Sequence, residues 1–148
     1  MVVQALKTIF IRDLNKLKTE IELYTDEKNL WLLDKGIANS AGNLCLHLIG
    51  NLNHFIGVGI AKSGYVRQRD LEFTLKDVPR ADIIQNIEAT IHMIEEGFST
   101  LTEDEMNGEF PVVKWDKSNE MGFTLIHLAT HLSYHLGQVN YHRRLLDS

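Results

Sequence analysis

The chain has 148 residues, of which 44% are hydrophobic and 24% are charged, and these values are typical of one ordinary globular domain. Its 15 basic and 20 acidic residues give a net charge of −5, and no basic stripe runs along the sequence, so nucleic acid is not expected as a partner. No apolar run approaches the roughly 20 residues that span a bilayer, and the N-terminus carries no recognisable secretory signal. We therefore expect one domain over residues 1–148, located in the cytoplasm, with no membrane partner.

The first predicted helix covers about residues 3–23, where apolar residues recur at steps of three and four. The apolar stripe that should face the core consists of Leu6, Ile9, Phe10, Leu14, Leu17 and Ile21. The opposite side should face solvent and carries the charged residues Lys7, Asp13, Lys16 and Glu20. The pattern predicts an amphipathic helix on the surface of a bundle.

The second predicted helix covers about residues 41–61, after an N-cap at Asn39 or Ser40. Its apolar positions include Leu44, Leu48 and Leu52. The one cysteine of the chain, Cys45, lies in the apolar segment LCL, and we interpret it as a small core residue and not as a reactive thiol.

Two long polar connections separate the remaining helices. The first leads to a third predicted helix over about residues 80–101, and the second leads to a fourth over about residues 119–146. Within the second connection, residues 110–115 are predicted to form a short extended piece. Four helices with long connections predict an all-α four-helix bundle.

The histidines are concentrated on the second and fourth predicted helices, which hold all seven except His92. On the fourth helix, His127, His131 and His135 follow one another at four-residue intervals, so any adjacent pair shares one helix face. Neutral imidazole is the commonest metal ligand among side chains, and imidazole sites suit zinc, nickel, copper and iron alike. This spacing therefore favours a metal site, although histidines held by hydrogen bonds in a purely structural bundle are the alternative.

A third ligand has to come from another helix, and the second predicted helix offers two histidines. His47 lies among leucines and Ile49, where burial of an unsatisfied imidazole is costly. His54 is seven residues further along and is the rival. The apolar setting thus favours His47, and His54 and His127 remain as alternative ligands.

The stretch HLSYHLGQVNYHRRLL contains His131 and His135 followed by Leu136, Gly137 and Gln138, and it resembles the HxxxHxGQ signature that closes the DinB-like (YfiT-like) metal-dependent four-helix proteins. The segment NSAGNLCLHLIGNLNHFI resembles the second helix of that family, in which a histidine in an L-x-H-L setting supplies the remaining ligand. The string RQRDLEF, residues 67–73, resembles the connection after helix two in an uncharacterised branch of the family.

The resemblance implies an up-down-down-up bundle, often a homodimer, with one divalent metal ion per chain (zinc, nickel or iron) held by His47, His131 and His135. It leaves His127 outside the ligand set. Family members with known activities are thiol S-transferases that use bacillithiol, mycothiol or glutathione, and a mycothiol-dependent maleylpyruvate isomerase. A low-molecular-weight thiol is therefore a candidate cosubstrate.

Three histidine ligands leave one position on the ion open, where the pKa of a bound water falls to about 7 and a bound thiol becomes a thiolate. The leading hypothesis is a metal-dependent thiol S-transferase or hydrolase that acts on a small molecule. The alternative is a non-enzymatic bundle, a stress-associated or dimerisation module that the metal stabilises.

Several polar residues are candidates for supporting roles around this site. Gln138, Asn51 and Asn43 are predicted to hold the imidazoles through their second nitrogens. The carboxylates of Asp70 and Glu72 are either a general base and substrate ligand or ion-pair partners in their own loop, and ion pairing with Arg67 and Arg69 is favoured. Tyr134 is interpreted as a core or dimer contact.

Overall fold

Four long helices and one short helix form the computed structural model, which describes residues 1–112 and 119–147. In chain order they are α1 (Val2–Leu23), α2 (Ala41–Leu52), α3 (Arg69–Thr74), α4 (Arg80–Thr100) and α5 (Met121–Leu146). The long helices α1, α2, α4 and α5 correspond to the four predicted ones, and only the end of the second departs from its prediction by more than two residues. The predicted all-α bundle is confirmed.

Contacts at the helix ends give the direction of each helix. Tyr24, just after α1, bonds to His142 near the end of α5, so α1 and α5 run parallel. The start of α1 contacts Glu103, which lies just beyond α4, so α4 runs against α1. Gly97, near the end of α4, packs against Ala61 beyond α2, so α2 runs with α4. The order up-down-down-up follows, as expected.

Helix α1 contributes much of the core, since Leu6, Phe10, Leu14, Leu17 and Ile21 are all buried. The prediction that Asp13 faces solvent is wrong, because its side chain is only 1% exposed. Because helix α1 packs against both α4 and α5, its neighbours cover a wider part of its surface than the apolar stripe occupies. Arg12 pairs with the buried carboxylate at 2.8 Å.

Helix α2 begins as predicted, because the side chain of Ser40 accepts a hydrogen bond from the backbone of Asn43 at 3.2 Å. The predicted α-helix to residue 61 is wrong in its second half. After Leu52 the backbone becomes a π-helix over Asn53–Val58. A π-helical turn contains an extra residue, so it changes which side chains share a face.

Cys45 lies in the core as predicted, and burial raises the pKa of its thiol.

The connections between the long helices contain short helical pieces that the sequence patterns did not predict. The 3₁₀ helix Glu27–Trp31 lies between α1 and α2, α3 lies between α2 and α4, and the 3₁₀ helix Glu103–Asn107 lies between α4 and α5. The predicted extended piece over 110–115 is described only to residue 112, and residues 113–115 lie outside the described ranges. Beside it, Glu109 pairs with Glu120 in an isolated antiparallel bridge.

Within residues 1–112 and 119–147, no helix combines the length and apolar character needed to cross a membrane.

Candidate metal centre

Three imidazoles from two helices meet between α2 and α5, with His47 buried and His131 and His135 partly exposed. The Nε2 atom of His131 lies 3.1 Å from Nε2 of His47 on α2 and 3.1 Å from Nε2 of His135 on α5. The ligand atoms of all three residues lie within 4.8 Å of one another. Two nitrogens at about 2.0–2.1 Å from a tetrahedral ion are roughly 3.3 Å apart. The spacing of the three atoms therefore suits a single divalent ion.

The second nitrogen of His47 is held by a carboxylate. Nδ1 of His47 donates to Glu72 Oε1 at 3.0 Å, because a carboxylate can only accept. In the neutral ring the other nitrogen, Nε2, then carries the lone pair that a metal requires. A carboxylate behind a metal-binding histidine is the usual means of fixing its tautomer and orientation.

His135 has the same arrangement with an amide in place of the carboxylate. Its Nδ1 donates to Gln138 Oε1 at 2.7 Å, one helical turn further along α5, which directs the lone pair of Nε2 toward the other two rings. Burial lowers the pKa of His135, the bond to Gln138 opposes this, and the nearby His47 lowers it further, so the net shift is downward. Its imidazole is therefore neutral near pH 7, which is the form that binds a metal.

Glu72 is itself positioned by two features of the fold. Arg67 donates to both of its carboxylate oxygens, at 2.8 Å from Nε and 3.0 Å from the terminal nitrogen. On the other side Glu72 Oε2 lies only 1.9 Å from the point where Gly50 would carry a Cβ. Only glycine at position 50 leaves space for the carboxylate against α2.

The charge of Glu72 follows from these contacts. Burial raises its pKa, but the hydrogen bonds from His47 and Arg67 and the positive charge of Arg67 outweigh that effect, so the pKa lies below its usual value. The ion pair with Arg67 agrees with the prediction from the sequence, whereas the bond to His47 was missed. The signal that could have indicated it is Gly50, one helical turn after His47 in α2.

The alternative ligands lie outside the group of three. His54 is in the π-helical segment, roughly 10 Å along the helix from His47 at 1.5 Å per residue, and its ring contacts Phe55. The ring of His127 stacks on that of His131 with centroids 6.4 Å apart. The structure thus places neither histidine in the group of three.

Of the predicted supporting amides, Gln138 forms a hydrogen bond with an imidazole, whereas Asn43 and Asn51 form none with an imidazole among the described residues. The amide of Asn43 donates to the backbone carbonyls of Glu72 and Leu75, both at 2.9 Å, so it fastens α3 to α2. Asn51 is buried, 3% exposed, without a hydrogen bond to the three rings. The role of Asn43 is therefore indirect, since it holds the backbone of the residue that contacts His47.

The remaining predicted residues lie further from the three rings. Asp70 is exposed, and Arg69 stacks its guanidinium over Phe73, 5.5 Å from the ring centroid, and does not pair with a carboxylate in the described structure. Tyr134 is 66% exposed, so its interpretation as a core residue is wrong and that as a surface contact remains.

His142, for which the sequence suggested no role, is a structural residue. Tyr24 donates its hydroxyl to Nδ1 at 2.7 Å, and Nε2 donates to the carbonyl of Leu32 at 2.9 Å. Both ring nitrogens are therefore occupied in holding the end of α5 to the chain segment after α1.

A cleft of about 410 Å³ opens beside His135 and Gln138. Residues 36–39 form one wall, and α5 forms the other as far as Leu145. Its lining includes His135 but neither His47 nor His131, so the cleft reaches the cluster from the side of His135.

No curated protein matches this chain. The model of the family described as "Protein of unknown function (DUF1572)" matches residues 3–148, and the chain belongs to that family.

Proposed function

We propose that His47, His131 and His135 hold one divalent metal ion and that the protein is a metal-dependent enzyme acting on a small molecule. The convergence of three Nε2 atoms carries the proposal, since their separations suit one ion. Zinc, nickel and iron all accept such a donor set.

The side chains around the cluster support this reading. Glu72 and Gln138 each accept from an Nδ1 and so direct the lone pairs of His47 and His135 to a common point. When bound, the ion would act as a Lewis acid and lower the pKa of a neighbouring water or thiol, which serves hydrolysis and thiol transfer alike. A purely structural metal needs no access from solvent, whereas His135 lines a cleft.

We further propose that the chain is related to the DinB-like (YfiT-like) proteins and shares their chemistry as a thiol S-transferase or hydrolase. The up-down-down-up order and the His131–His135–Gln138 signature support the relationship. The alternative, a metal-stabilised bundle without turnover, predicts that chelation lowers thermal stability while no pair of thiol and electrophile reacts.

Metal analysis of the purified and the zinc-reconstituted protein tests the proposal. We expect about one ion per chain, and loss of that ion in His131→Ala and in His135→Ala. His127→Ala is the matched control on the same helix and should retain the metal. The proposal fails if neither preparation of the unmodified protein holds an ion. Retention of the ion by both alanine variants would refute the assignment of ligands.

We also propose that the protein is a homodimer that pairs through the exposed face of α5. Ile126, Tyr134, Tyr141 and Leu145 are 50–69% exposed and recur along the whole helix. Exposed apolar faces of this length are typical of association surfaces. Gel filtration with light scattering measures the mass directly.

A further inference from the structure

We infer that the cleft beside His135 takes an uncharged small molecule with an apolar body. This inference rests on the proposed function in one respect, because it names the substrate class of the same metal centre. It concerns the cleft itself, which can be tested without any metal.

The lining of the cleft is apolar or neutral. Ile37, Leu44 and Leu145 supply apolar surface, while Gln138 and Tyr141 supply uncharged hydrogen-bonding groups. Among the described residues that line the cleft, none is an aspartate, glutamate, lysine or arginine.

The two histidines that line the cleft do not add a counter-charge for an ionic ligand. His142 uses both ring nitrogens in bonds to Tyr24 and Leu32. His135 uses Nδ1 in its bond to Gln138, and its Nε2 lies 3.1 Å from Nε2 of His131. In the metal-free protein, a carboxylate or an ammonium group in this cleft would therefore lose hydration without gaining a partner of opposite charge.

The volume limits the size of the ligand. At about 30 Å³ for each water-sized group, a cleft of about 410 Å³ has room for roughly 14 such groups. That is the size of a small metabolite and not of a peptide. A thiol that carries several carboxylates fits this lining poorly, so the cleft favours an uncharged electrophile or an uncharged thiol.

Binding of three six-carbon probes to the metal-free protein at pH 8 tests the inference by calorimetry. The probes are 1-hexanol, hexanoate and hexylammonium, which share a chain and differ in charge. We expect 1-hexanol to bind at least about tenfold more tightly than either ion. Equal or tighter binding of an ion overturns the inference, and so does failure of 1-hexanol to bind. Because no metal is present, the carboxylate of hexanoate cannot bind through an ion.

A charge placed in the lining should reverse this preference. Ile37 is 38% exposed in a loop, so Ile37→Arg should fold, which the helical circular dichroism spectrum checks. This variant should bind hexanoate more tightly and 1-hexanol more weakly than the unmodified protein does. Val66→Arg, at an 81% exposed position outside the lining, is the control and should bind all three probes as before. An unchanged preference in Ile37→Arg places the probes elsewhere and overturns the inference.

Metal content, measured separately, distinguishes the two proposals. Protein that binds zinc but not 1-hexanol contradicts only the inference about the cleft. Protein that binds 1-hexanol but no metal supports the cleft and contradicts the proposed function.

Discussion

Substitution of Gly50 by alanine tests the carboxylate behind His47 without changing any proposed ligand. A Cβ at position 50 would lie 1.9 Å from Glu72 Oε2. Ordinary contact requires roughly 3.5 Å, so the carboxylate has to move by roughly 1.5 Å. Such a shift breaks the 3.0 Å bond to His47 Nδ1, since hydrogen bonds of this kind rarely exceed about 3.2 Å.

Two effects on stability oppose each other in this variant. Crowding of a buried group costs about 1–3 kcal/mol, and alanine in a helix interior regains up to about 1 kcal/mol relative to glycine. The cost of crowding exceeds this gain over most of its range, so the free energy of unfolding of the metal-free protein should fall by up to about 2 kcal/mol, and the variant should still fold. Loss of a carboxylate behind a metal-binding histidine typically weakens metal affinity about 10–100-fold, and we expect that loss here.

The assay is zinc affinity by competition with a chromophoric chelator, together with urea unfolding of the metal-free protein. Gly137→Ala is the matched control, because it makes the same chemical change within α5, two residues from His135, and its Cβ would meet nothing within 4 Å. It should keep the zinc affinity of the unmodified protein. Zinc binding by Gly50→Ala within about threefold of the unmodified protein would refute the reasoning, as would an equal loss in both variants.

Three further predictions concern the metal, the chain end and the α5 face. Zinc at about a thousandfold its Kd should raise the free energy of unfolding by about 4 kcal/mol and the Tm by roughly 10 °C. If a chelator leaves the melting curve of the zinc-loaded protein unchanged, the proposed metal site is contradicted. Burial raises the pKa of Asp147, but hydrogen bonds from the backbone and side chain of Thr25, from Asn29 and from the backbone of Asp26 outweigh it and lower the pKa to about 2. Because this folded value lies below the usual 3.8, its stabilisation is complete above about pH 4 and is lost as the pH falls toward 2. Asp147→Asn should flatten that part of the stability profile, and an unaltered profile in urea unfolding would count against the assignment. Ile126→Glu should yield a monomer by light scattering, whereas an unchanged dimer mass would exclude this face of α5.

The sequence by itself determined the helices and part of the site, because both depend on spacing within one helix. Apolar steps of three and four located α1, α4 and α5 to within two residues. The four-residue interval between His131 and His135 places both on one helix face. Gln138 follows His135 by three residues, which places it one turn further along the same face. These relations follow from 3.6 residues per turn and need no knowledge of the neighbouring helices.

Tertiary structure decided the relations between helices. Periodicity shows which residues share a helix face but not how much of the helix surface its neighbours cover. For that reason Asp13 was predicted to face solvent, although it is buried in a helix that packs against both α4 and α5. The π-helical turn after Leu52 leaves no simple mark in the apolar pattern.

The contact of Glu72 with His47 joins residues 25 positions apart through a polar connection that had no predicted helix. Its geometry depends on the path of that connection, on Arg67 and on the space above Gly50, none of which a pattern within one helix contains. For that reason the ligand spacing within α5 could be predicted from the sequence, whereas the group that orients the third imidazole became visible only when α3 was seen packed against α2.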